Sequence, residues 1–140
     1  MHIIVCVDDG GGMLFHMRRQ SQDRILREHI LNDTSDARLW MNAYSFRQFS
    51  DMKNVGSEQI VVEENFMDQA EPGDFCFLEN VTAKDYEDKI EQVILYKWNR
   101  SYPSDLKFDI PLEESGWKLE NREEFEGFSH EKITKEVYRR

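Results

Sequence analysis

Five short apolar runs punctuate the first hundred residues, and helix-like stretches separate them. The runs are Ile3–Val7, Arg38–Met41, Gln59–Val62, Phe75–Leu78 and Gln92–Trp98. Segments this short, rich in β-branched and aromatic residues and bounded by turn formers, read as buried strands. Strands alternating with helices predict an α/β chain: a three-layer, mostly parallel, doubly wound sheet. The pattern changes near the end. Trp117–Glu120 and Ile133–Tyr138 alternate apolar with polar residues, which reads as a C-terminal antiparallel strand pair closing one edge. No linker, repeat or low-complexity stretch interrupts the chain, so residues 1–140 are expected to form a single domain, and 140 residues suit one core.

The connecting segments carry their own signals. Ser21 is placed to cap a helix with Asp23 in its first turn, favourable at the positive end of the helix dipole. Ile25, Leu26, His29 and Ile30 follow at helical spacing, and Asn32-Asp33 ends the segment. Asn42 is expected to cap a helix running to Phe49, Asn65–Gln69 to form a short turn of helix, and Thr82 to cap a helix over Ala83–Lys89. Gly10–Gly12 permits either a sharp strand-exit turn or a mobile loop. Trp40, Trp98 and Trp117 are assigned to the core.

Charge narrows the function classes. The chain has 28 acidic and 18 basic residues, a formal charge of -10. The acidic balance argues against a nucleic-acid partner or an anionic membrane surface. The first 50 residues are neutral, with six Arg and six acids, and Arg18, Arg19, Arg24 and Arg27 lie close together. The charge distribution reads first as a solvated acidic surface that aids solubility; the sharper alternative is that these four arginines form a local site for one small anion. No apolar segment approaches the roughly 18 residues of a membrane span, and the leading apolar run is too short for a signal-peptide core, so a cytoplasmic protein is expected. Cys6 and Cys76 then read as buried free thiols. No C-x-x-C, Walker A, G-x-G-x-x-G or G-x-S-x-G is present, nor the H-x-H-x-D-H cluster with which a zinc hydrolase holds its metal. Asp8 and Asp9 are adjacent acids without a third ligand, so no metal is expected.

Several stretches, in order, resemble dihydrofolate reductase over nearly the whole chain. Val93–Trp98, Asp105-Leu-Lys-Phe108, Gly116-Trp117 and the ending Thr134–Arg140 are similar to that family's closing strands. The first strand, the Gly12-Met13 pair and Asp23 at the first helix match its beginning. Leu39–Phe46 is similar to its Met-Gly-Arg-x-Thr segment. The resemblance implies a shortened reductase-like fold with a ligand site lined by Cys6, Met13, Asp23, Ser45 and Tyr96. It implies that Asp23 is the catalytic carboxylate facing a flat heterocycle. Arg18 and Arg19 read, on charge alone, either as a grip for an anionic group or as ordinary exposed loop arginines.

The departures fall on the cofactor. Asn42-Ala43 stands where the family has Gly-Arg, Glu79-Asn80 where it has Gly-Gly, Tyr96 where it has Thr, and the Trp-x-x-Pro context before the first helix is lost. The phosphate-pairing guanidinium is missing and a carboxylate would face a polyanion. The stretch between Tyr44 and Glu79 is also shorter than in typical members. NADPH is therefore not expected, and no other cofactor is expected. Three functions stay open: a diverged, non-catalytic relative binding a small planar ligand or nucleotide near Asp23; a protein-interaction module, including a homodimer; and, behind both, a true NADPH-dependent reductase.

Overall fold

The computed structural model describes residues 1–52, 59–114 and 116–140. A seven-stranded sheet is its frame. In chain order the strands are β1 (His2–Val7), β2 (Gly12–Phe15), β3 (Arg18–Arg19), β4 (Leu39–Met41), β5 (Ile60–Val62), β6 (Phe75–Leu78), β7 (Gln92–Lys97), β8 (Leu106–Lys107), β9 (Lys118–Phe125) and β10 (Ile133–Arg139). The large sheet runs β5-β4-β6-β1-β7-β10-β9. Its first five strands are parallel, and β10 and β9 are antiparallel. The parallel sheet with an antiparallel edge is the architecture the strand spacing predicts.

Two hydrophobic layers explain why β1 carries no polar alternation. Ile3, Val5 and Val7 point to one face, where they meet Phe66, Met67, Ala70, Cys76, Leu78, Val93 and Leu95. Ile4 points to the other, against Leu26, Ile30, Leu39, Phe77, Ile94 and Tyr96. Helix α1 (Arg24–Asp33) covers the second face through Leu26, Ile30 and Leu31. Two four-residue helices follow it, α2 (Ala43–Phe46) and α3 (Phe66–Gln69), and α3 packs on the first face. Trp40, Trp98 and Trp117 are all buried, as their assignment to the core requires. Among the described residues, no helix is long and apolar enough to cross a membrane.

Local chemistry corrects several expected ends. Asp23, not Ser21, caps α1: its side chain accepts from the amides of Ile25 and Leu26, while Asp23 itself is extended. Helix α2 stops at Phe46, with Asn42 capping through Ser45 N–H as expected, and turns rather than helix follow to Phe49. Lys84–Lys89 is a 3₁₀ helix that Thr82 does not cap. The Asp109 carboxylate accepts from the amides of Ala83 and Lys84 instead. Strand β9 begins after Trp117 and continues past Glu120 to Phe125.

A second sheet, β3-β2-β8, has no counterpart among the expected elements. It begins at the exit of β1. Asp8 folds back so that its Oδ1 accepts from the amides of Gly10 (2.9 Å) and Gly12 (2.7 Å), which makes Gly10–Gly12 an anchored strand-exit turn. The β2–β3 hairpin closes through His16 and Met17, both at positive φ (50° and 62°), the backbone of a type I′ turn. Neither residue is a glycine or asparagine, so the propensity signal for this hairpin is missing.

Candidate functional site

Asp23 sits at the centre of a buried polar cluster built from both ends of the chain. Its Oδ1 accepts from the amides of Ile25 (3.0 Å), Leu26 (3.2 Å) and Phe128 (3.0 Å). Its Oδ2 accepts from the Ser129 amide (2.8 Å) and hydroxyl (3.2 Å) and faces His130 Nδ1 at 3.0 Å. Burial works to raise the pKa of this carboxyl. The Phe128 amide, His130 and the Ser129 and Leu26 amides outweigh it and hold the carboxyl far below the usual range. Asp23 is thus a fully buried carboxylate that stays ionised.

The ionised state of Asp23 settles the orientation of His130. A carboxylate only accepts, so Nδ1 carries a hydrogen, and in the neutral ring the lone pair is then on Nε2 at the other side. There it meets Ser21 Oγ at 2.9 Å and Tyr102 Oη at 3.4 Å. The imidazole ring stacks on Trp98, with centroids 4.6 Å apart. Sequence reasoning passed over His130 and Ser21. Ser21 reads as a helix cap, and His130 lies 107 residues from Asp23, so no short motif connects them. The available signal was Gly127 ahead of Ser129-His130. A Cβ at Gly127 would stand 2.7 Å from Asp23 Oδ2, so only glycine lets this turn close over the carboxylate.

Beside the cluster lies an open cavity of about 480 Å³ walled by Phe15, His16, Arg18, Arg19, Gln20, Tyr102 and Pro103. Phe15 and His16 stack at 3.8 Å. Gln20 donates from Nε2 to the Pro103 carbonyl (3.2 Å), while its Oε1 is buried and has no partner among the described residues. Arg18 is exposed, and no ion pair holds it among the described residues. Tyr102 belongs to both places: its ring walls the cavity and its hydroxyl reaches His130. Asp8 anchors this wall by accepting from the Tyr102 amide (3.0 Å).

The other expected site residues are distributed. Arg19 is committed within the protein. Its guanidinium forms a two-pronged pair with Glu79 (2.9 and 3.1 Å), donates to the Tyr44 carbonyl and lies 4.5 Å over the Tyr44 ring. Arg24 lies over Phe128, and Arg27 reaches Gln22, so the four arginines do not converge. Cys6 and Tyr96 are neighbours in register on β1 and β7; both cysteines are free thiols, but only Cys76 is buried as expected, while Cys6, at the strand's far end, is partly exposed. Burial, then the Glu79 carboxylate, pushes the Cys6 thiol well up. The Tyr96 hydroxyl turns to His29 (3.0 Å) and Asp33 (3.4 Å), and burial raises its pKa. Met13 is buried in the cluster on the opposite sheet face. Ser45 is buried at the start of α2, its hydroxyl unpartnered among the described residues. His29, Asp33 and Glu123 approach one another, but the Lys135 ammonium already sits among them.

Beyond the ends of β4 and β6 two side-chain contacts connect the loops. Glu79, at the exit of β6, is buried beneath Arg19, and Asn42 donates to Asn80 across the gap at 2.8 Å.

The structure is similar to dihydrofolate reductase from Enterococcus faecalis complexed with NADP(H) and RAB-propyl. The TM-score is 0.65, and the match covers 99% of this chain and 95% of that one at 10% sequence identity. The chain therefore has a dihydrofolate reductase-like fold. No family model and no curated protein sequence matches it.

Proposed function

We propose that this chain is a diverged protein of reductase-like fold that binds a small, planar, anionic ligand in the cavity beside Asp23. One observation carries the reading: the cavity joins a stacked Phe15–His16 pair and the Tyr102 ring to an exposed Arg18 with no ion-pair partner among the described residues. Flat apolar walls with a few placed polar groups fit a heterocycle, and a guanidinium fits a carboxylate or phosphate. Asp23 supports the site from behind, its oxygens taken up by the Ile25, Leu26, Phe128 and Ser129 amides and the Ser129 hydroxyl.

NADPH is not the ligand this reading expects. A dinucleotide at the ends of β4 and β6 would meet the Glu79 carboxylate and the Arg19–Glu79 and Asn42–Asn80 contacts. The test is a thermal-shift panel of NADPH, NADP, FMN, dihydrofolate, an antifolate and common nucleotides, run on wild type and Arg18→Ala. A ligand at 100 times its dissociation constant adds about 2.7 kcal/mol, or about 9 °C for a chain of this size. A shift with a planar anion that Arg18→Ala loses supports the reading. A flat panel refutes it and favours a protein partner, for which the exposed Met17 and Phe128 are the first surfaces to examine.

A further inference from the structure

We propose that Ser21, His130 and Asp23 form a nucleophile, base and orienting carboxylate, and that this protein cleaves activated acyl esters at Ser21, beside the cavity that Gln20 and Tyr102 help to wall. Only the anionic end of the substrate depends on the cavity reading. The geometry of the three groups stands apart from it.

The three groups meet the requirements in sequence. Ser21 Oγ lies 2.9 Å from His130 Nε2, within the range where an imidazole takes a hydroxyl proton. His130 Nδ1 lies 3.0 Å from Asp23 Oδ2, which in the neutral ring places the hydrogen on Nδ1 and leaves Nε2 as the base. Asp23 is held by five donors other than the imidazole. It stays fixed and charged while the ring beside it becomes imidazolium. The triad is recognised by such roles and not by position in the chain. A structural role explains the Asp23 cap and the turn at Gly127 to His130, but does not require a hydroxyl on the far nitrogen. Ser21 is partly exposed there, its neighbour Gln20 walls the cavity, and Tyr102 connects the wall to the same nitrogen.

The chemistry balances without a cofactor. Ser21 Oγ bonds to the ester carbonyl carbon as its proton passes to His130 Nε2. The carbon–oxygen bond to the leaving group then breaks, and that oxygen takes the proton from His130. Water attacks the acyl-serine by the same path in reverse, releasing a carboxylic acid and restoring Ser21.

The test uses the full chain with two probes: p-nitrophenyl acetate, read as nitrophenolate release, and a small neutral fluorophosphonate, read by intact mass and peptide mapping. A single phosphonyl adduct on Ser21 is expected, absent in Ser21→Ala, with ester hydrolysis at least about 100-fold slower in that variant. His130→Gln should lose the adduct as well, provided its unfolding midpoint shows it to be folded. Absence of the adduct from wild type, or equal hydrolysis by wild type and a folded Ser21→Ala, overturns the proposal. Because the fluorophosphonate is small and uncharged, its reaction does not depend on Arg18. Labelling of Ser21 with a flat ligand panel would sink the anion site and keep the triad, and the opposite result would do the reverse.

Discussion

Replacing Gly127 with alanine tests whether the Asp23 cluster is as rigid as its bonding requires. The new methyl carbon would stand 2.7 Å from Asp23 Oδ2, 2.9 Å from Ile133 Cδ1 and 3.1 Å from Asp23 Cγ. Ordinary contacts of this kind lie near about 3.5 Å or beyond. Neither neighbour can withdraw. Asp23 Oδ2 is fixed by Ser129 and His130, and Ile133 is fully buried. Overpacking costs about 1–3 kcal/mol, and stretching bonds to a charged acceptor adds about 1 kcal/mol more. A loss of about 2–4 kcal/mol lowers Tm by about 7–14 °C at this chain length. Gly73→Ala is the control. It has φ of +86° and open space around it, so only backbone strain of about 1–2 kcal/mol applies. Thermal unfolding followed by tryptophan fluorescence suits both variants, since Trp98 stacks on His130 and reports on the cluster. Gly127→Ala within about 1 °C of wild type would refute the reasoning, because the turn would then have room that its distances deny.

Other expectations follow from the charged and buried groups. Arg19→Ala leaves the Glu79 carboxylate buried without its partner. Loss of about 2–3 kcal/mol is expected from urea unfolding, below the full buried-pair range because Arg19 is partly exposed; an unchanged urea midpoint would show that Glu79 is hydrated or neutral. Asp23 and Asp8 lie below the ordinary carboxylate range. Burial pulls Asp33 up, but His29 and Lys135 outweigh it and bring the carboxyl down to about 2. A carboxyl depressed in the folded state stabilises it fully above the unfolded value of about 3.9 and loses that contribution as pH falls through the folded value. The urea midpoint should therefore hold from about pH 7 to pH 5 and drop between about pH 4 and pH 2; a midpoint that rises on acidification would contradict the assignment. Burial raises both thiols, Cys76 to about 12, so neither should react with Ellman's reagent at about pH 8 until urea is added. Prompt reaction of Cys76 in the native state would refute its burial, and prompt reaction of the partly buried Cys6 would refute its raised pKa.

The parallel sheet was legible because its strands are apolar on both faces, and runs such as Ile3–Val7 announce that directly. The antiparallel pair was legible from alternation at Ile133–Tyr138. The small sheet was not, since β3 and β8 hold two residues each and the hairpin turns on His16-Met17 rather than on a glycine. Helix caps were legible only in part, because Ser21 and Asp23 are both good caps in neighbouring positions and tertiary bonding decides between them. Asp109 reaches the 3₁₀ helix from 25 residues away, beyond any local rule. At the candidate site, Asp23 stood out by its residue type, while Ser21 and His130 acquire meaning only through contacts that span the chain.

That span has a kinetic consequence. Asp23 leaves the ribosome with α1, and 107 residues separate it from the histidine that covers it. Until β10 docks on β7, the carboxylate can be met only by water and by the first amides of its own helix. Closing a loop of that length costs more search time than forming α1, so the cluster is expected to be among the last elements to mature in refolding. A nascent or partly folded chain would have its strands and helix but no oriented imidazole. The cluster is therefore complete only when residues 128–130 close over Asp23, and its maturation in refolding is expected to trail that of α1.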